Sequence, residues 1–180
     1  RISRVKNFPS KLAFRVRGKP ATAGSKRAFH HKVTGKIIVI DMSKRAKPWR
    51  AAVKSAALLA LDGAEMSRGK PLRVEIEFVI SRPKSHYRTG KYSHILRDKS
   101  PVWHLQPPDV DKMSRALMDA MTGVVYKDDC LVVQKLVTKL WTTHYNRMGA
   151  YVTVAPLDEE REGEGLKWKS QDCSKQYDGD

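Results

Sequence analysis

A chain of 180 residues with 41% apolar side chains can bury one core without disulfides, and its two cysteines, Cys130 and Cys173, form no CxxC pair. No apolar run nears the ~20 residues of a membrane span and no signal segment opens the chain, so the expectation is a protein of the reducing cytoplasm with no membrane partner. The net charge of +16 is unevenly placed. Residues 1–156 hold 31 Lys or Arg against 11 acids, the first forty residues hold eleven bases and no acid, and 157–180 hold eight acids against four bases. Such a body is the electrostatic footprint of a nucleic-acid partner.

In chain order, KLAFRVR (11–17) alternates apolar and basic side chains and predicts a strand with Leu12, Phe14 and Val16 inward, ended by Gly18 and Pro20. The long basic segment GKPATAGSKRAFHHKVTGK follows, with Lys19, Lys26 and Arg27 as candidate phosphate contacts. His30 and His31 have no partner at metal-ligand spacing and read as surface or phosphate-contacting residues. A second strand is expected in IIVID (37–41). Pro48 suits a first helical turn, and Trp49, Ala52, Val53, Ala56, Leu59 and Ala60 follow at helical spacing up to Gly63. PLRVEIEFVI (71–80) has the cleanest alternation in the chain, Leu72, Val74, Ile76, Phe78 and Ile80 against Arg73, Glu75, Glu77 and Val79.

Residues 81–106 lack periodicity. They carry Arg82, Lys84, Arg88, Lys91, Arg97 and Lys99 against the single acid Asp98, interleaved with His86, Tyr87, Tyr92, His94 and Trp103. Charges among stacking surfaces suit nucleic acid with an unpaired or distorted backbone, and Lys84, Arg88 and Lys91 join the candidate contacts.

The stretch PPDVDKMSRALMDAMTGVVYKDDCLVV (107–133) organises the rest. Met113, Ala116, Leu117, Ala120 and Met121 form one helical stripe, Pro107 and Pro108 bar an earlier start, Asp109 or Asp111 can cap the first turn, and Gly123 stands where a left-handed terminus is expected. Asp111, Arg115 and Met118 lie on the side away from the stripe. Asp128 and Asp129 occupy a turn that leads into the strand CLVVQKLVTKLW (130–141), and AYVTVAP (150–156) gives a last strand. Several carboxylates at one spot repel unless a hard cation neutralises them. Capping and turn preference explain either half of the motif alone; its very basic setting favours a site. The polar 157–180 segment is expected to be a disordered tail to a domain spanning 1–156. The element order β-β-α-β-α-β-β predicts one α+β domain, a mixed sheet with two helices on one face.

The 107–133 motif resembles the signature of the RusA-like Holliday junction resolvases, in which a helix opening with Asp-x-Asp leads to a turn with a further catalytic Asp. GKPATAGSKRAF, KPWRAAV and SRPKSHYRTGK resemble the context found in phage-type members, and the likeness runs from about Leu12 to about Ala155. It implies a homodimeric, Mg²⁺-dependent endodeoxyribonuclease, with Mn²⁺ as a possible substitute and no small-molecule cofactor, that resolves branched DNA by paired nicks. Asp109, Asp111 and Asp129 match the family's metal-binding acids. Arg115 stands where a catalytic Lys is known and Lys112 where Asn is frequent. Since arginine stays charged, Arg115 can stabilise phosphate charge but is a poor general acid. Lys112 can contact DNA. Asp128 and Asp119 are reserve candidates. A non-catalytic RNA- or ribosome-associated binder, its acids merely capping helices and turns, is the competing expectation.

Overall fold

The alternation of 71–80 becomes the middle of a sheet because one of its faces is wholly apolar. In the computed structural model this strand is β4 (Leu72–Ser81); Leu72, Val74, Ile76 and Phe78 are at most 2% exposed. The structure describes residues 9–157 apart from 24–25, 42–44, 65, 67–68 and 102; the side chains at 26–27, 39–41 and 145 also lie outside the description, as does the expected tail from 158 onward. The remaining strands are β1 (Leu12–Arg17), β2 (Lys26–His30), β3 (Ile37–Asp41), β5 (Val132–Thr142) and β6 (Gly149–Pro156). Two helices complete the fold, α1 (Ala46–Leu61) and α2 (Val110–Met121).

The four-stranded sheet has the order β1-β6-β4-β5. β6 lies antiparallel to both β1 and β4, whereas β4 and β5 run parallel, so the sheet is mixed. Register places Val74 opposite Val154, Ile76 opposite Val152 and Val16 opposite Ala150, which gathers the apolar faces of three strands onto one side. A parallel pair needs a long crossover, and α2 supplies it between β4 and β5. Trp49, Val53, Ala57 and Leu61 of α1 and Met113, Ala116, Leu117, Ala120 and Met121 of α2 are buried in the same cluster as these strands. Fully burying one such side chain as large as Leu117 contributes about 1.5–3 kcal/mol. The α+β class and the two-helix cover are therefore as expected.

Three details differ from the expectation. IIVID does not join the main sheet; it pairs antiparallel with Lys26–His30 in a separate two-stranded ribbon. In α1 the fully buried row is Trp49, Val53, Ala57 and Leu61, with Ala52 and Ala56 packed partly buried at its edge as expected, while Leu59 is 82% exposed because residues four apart drift slowly around the helix. Met118, expected on the outer side of α2, is buried: Tyr126 folds back over it, and its hydroxyl donates to the Met118 carbonyl at 3.2 Å.

Candidate functional site

Helix α2 begins where the proline pair permits. Asp109 takes the N-cap position with extended backbone, yet its side chain makes no capping hydrogen bond. Its carboxylate instead meets the Lys112 ammonium at 3.3 Å, and one turn on Asp111 meets Arg115 at 3.3 Å. All four side chains are more than half exposed, so these are solvated pairs that stabilise the helix by a few tenths of a kcal/mol at most. The helix start thus presents two accessible carboxylates and two accessible cations, all available to a ligand.

At the other end of the motif the two turn acids have different tasks. The Asp128 carboxylate accepts from the Cys130 backbone N–H at 3.0 Å and caps the short 3₁₀ turn Asp129–Leu131. That bond holds its pKa below the usual carboxylate range, and the adjoining carboxylate pushes the Cys130 thiol up. Asp129 is exposed and does not cap the turn. Burial drives the Tyr126 phenol far above its ordinary range, and the nearby charges of Asp129 and Asp119 add to the shift.

Strand β5 then runs back along α2 in the opposite direction. Lys135 donates to the Ser114 hydroxyl at 3.4 Å, and Lys139 donates to the carbonyls of Gln106 at 2.8 Å and Pro108 at 2.9 Å. Asp109 and Asp111 therefore sit at one end of the helix and Asp129 at the other. Among the described residues no group of three or more His, Cys, Asp or Glu side chains is gathered closely enough to hold a metal. The structure brings Asp109, Asp111, Lys112 and Arg115 together and leaves Asp129 apart.

Lys135 and Lys139 were not singled out from the sequence. The signal was present, since Lys135, Val137, Lys139 and Trp141 alternate onto the inward face of β5. Lys135 is exposed, whereas the half-buried Lys139 needs acceptors for its charge. Lys139 finds two acceptors in the loop that leads into Asp109. Trp141 holds the same loop: its indole N–H donates to the Trp103 carbonyl at 2.8 Å, and His104 stacks on it at 3.9 Å.

The 81–106 segment is more ordered than its lack of periodicity suggests. Tyr87 bridges Leu96, Arg82 donates to the Pro101 carbonyl, Arg97 to that of Tyr87, and Ser100 to that of His86. Arg88 pairs with Asp98 at 2.9 Å on the surface. His86 is buried edge-on to Trp141 and offers no stacking surface, whereas Tyr92 and Trp103 are 48% and 58% exposed. Lys19, Lys84 and Lys91 are exposed, Lys91 lying over the Tyr92 ring. Lys26 and Arg27 stand in β2, their side chains outside the described residues.

Compared with known families, residues 18–154 match the model of endodeoxyribonuclease RusA. The chain belongs to the RusA family. The match covers the ribbon, both helices and the acidic motif, and it sets aside the non-catalytic binder, because the family is one of endodeoxyribonucleases. A search of curated proteins finds no match. As a RusA-family enzyme the chain is a DNA-hydrolysing nuclease with a role in recombination, and its acidic helix start lies within the matched segment.

Proposed function

We propose that this enzyme resolves four-way DNA junctions by phosphodiester hydrolysis at the Asp109–Asp111 end of α2. The observation that supports this most directly is Asp109 itself. It occupies an N-cap yet makes no capping bond, so capping does not account for an acid there, and its carboxylate stays accessible beside Asp111.

The donor chemistry at this end is carboxylate oxygen alone, which suits a hard cation. Mg²⁺ commonly binds through one or two carboxylates together with retained waters and substrate phosphates. Asp109 and Asp111 would hold it, with Mn²⁺ as a substitute. Bound there, it would supply a Lewis acid and a water of lowered pKa. Lys112 and Arg115, now paired with the two acids, are placed to take a DNA phosphate when the carboxylates take a cation. Arg115 keeps its charge throughout and stabilises the negative phosphate without giving up a proton. Asp129, which the family resemblance counts among the metal-binding acids, stands at the other end of α2 and within one copy lies outside this site. Asp128 is the capping acid and stays outside it. Paired nicks across a junction call for two copies of the site, and we propose a homodimer.

The test is cleavage of a synthetic four-way junction with and without Mg²⁺. Asp111→Asn should abolish cutting while junction binding persists. Full cleavage by Asp111→Asn would refute the assignment, and full cleavage in EDTA would refute the cation. A monomeric mass by light scattering in the presence of junction would refute the dimer.

A further inference from the structure

The ribbon of β2 and β3 stands apart from the main sheet. It pairs with no strand of that sheet, and none of its described side chains joins the core cluster. Among its described apolar side chains Phe29 is 42% and Ile37 64% exposed, and Val33 at the tip is 88% exposed. The tip that carries Val33 is nonetheless built. The His31 N–H donates to the Lys36 carbonyl and the Gly35 N–H to the His31 carbonyl, both at 2.9 Å, and the Thr34 N–H donates to the His31 ring at 3.2 Å. Gly35 takes a φ of 63°, the left-handed turn that closes the tip. Around these apolar groups lie His30, His31, Lys32 and Lys36, and residues 1–40 contain no acid.

Exposed apolar side chains interspersed in sequence with lysines and histidines fit a polyanion that has apolar faces of its own. DNA with accessible bases is such a ligand. A two-stranded ribbon fits a major groove about 12 Å wide, and apolar side chains enter between bases where the stack is already weak. At a branch point the terminal pairs of each arm are the weakly stacked ones. We propose that the β2–β3 ribbon is a branch-sensing arm: Lys32 and Lys36 hold phosphates, while Val33 and Ile37 contact bases exposed at the branch. The inference rests on the branched-substrate reading above and assigns the recognition of branching to this element.

The experiment compares binding of the full chain, in EDTA, to an immobile four-way junction and to a linear duplex of the same arm sequence, by fluorescence anisotropy. Val33→Ser/Ile37→Ser should weaken junction binding about tenfold and change linear binding less than about twofold, as expected for two lost apolar contacts. Lys32→Ala/Lys36→Ala should weaken both and lower the salt slope by about two. If the apolar double variant keeps the wild-type preference, the arm does not sense branching. If light scattering shows instead that it has fallen to a smaller oligomer, the exposed row is covered by a second copy of the chain and the DNA assignment fails. A wild-type protein with no junction preference would remove the branched-substrate reading, and this inference with it.

Discussion

Lys139 sits on the inward face of β5 and is neither a core residue nor a member of the acidic pair, yet it controls where that pair stands. Its two bonds to the Gln106 and Pro108 carbonyls fix the backbone immediately before Asp109. Misplacing reacting groups by about 1 Å can cost roughly a hundredfold in rate. Lys139→Met should therefore lower kcat on junction DNA by about ten- to a hundredfold, with KM unchanged within about twofold. Lys139→Arg should restore part of the loss. A parallel Asp109→Asn variant separates the causes: if that variant is inactive and Lys139→Met is not, the lysine does not position the site. A second residue gives the fold a pH dependence. Burial beside Trp141, reinforced by the Lys139 charge, holds His104 below the ordinary histidine range. A depressed folded pKa means the unfolded chain binds the proton more readily, so this contribution to stability is present above pH ~6.5 and is lost as pH falls through the folded value. The melting temperature should drop between pH 7.5 and 5.5, and His104→Phe, which keeps the stack without the titration, should flatten that drop. An unchanged pH profile in the variant would show that other groups set it.

At the scale of elements, Gly149 decides whether β1 and β6 can pair. It opens β6 with a φ of 151°, and a Cβ placed there would run into the Val16 backbone carbonyl of β1. Neither backbone can move without breaking the register that buries Val16 against Ala150. Gly149→Ala should therefore cost about 1–3 kcal/mol, read as a lower urea midpoint with little change in slope. The elements themselves were largely legible, because strong periodicity survives folding: the 71–80 strand and the Met113–Met121 stripe appear as read. What the sequence did not disclose was pairing. KRAFH is too short to show a period, so β2 was passed over and β3 was sent to the wrong sheet. The parallel β4–β5 contact depends on a crossover of some fifty residues that no local pattern marks. The acids followed the same division. Asp109 and Asp111 stood out because two carboxylates began a helix in a basic chain. The separate tasks of Asp128 and Asp129 needed the capping bond to Cys130 to become visible. Lys139 was hidden because a lysine in an edge strand ordinarily faces water.

For the whole molecule, the distribution of charge matters more than any one contact. Residues 1–156 carry an excess of twenty positive charges, and the exposed lysines Lys19, Lys32, Lys84 and Lys91 lie on separate loops and turns. A surface of that kind binds phosphates by releasing the counterions that surround DNA, so its affinity belongs to the sum of contacts and depends on salt. If six to ten phosphates are neutralised, binding of junction DNA should weaken by about 10³–10⁵ between 50 and 200 mM salt. The acidic pair reacts only after the DNA is seated, and the part-buried hydrogen bond from Lys139 to the Pro108 carbonyl is screened less than surface charges. Raising salt should therefore lower kcat/KM steeply while kcat at saturating junction stays within about twofold. Steady-state cleavage at several salt concentrations measures both quantities. A parallel fall in kcat would mean that screened surface pairs, Lys112 and Arg115 foremost, act in the chemical step itself. A flat kcat/KM would mean that the basic body does not carry the binding.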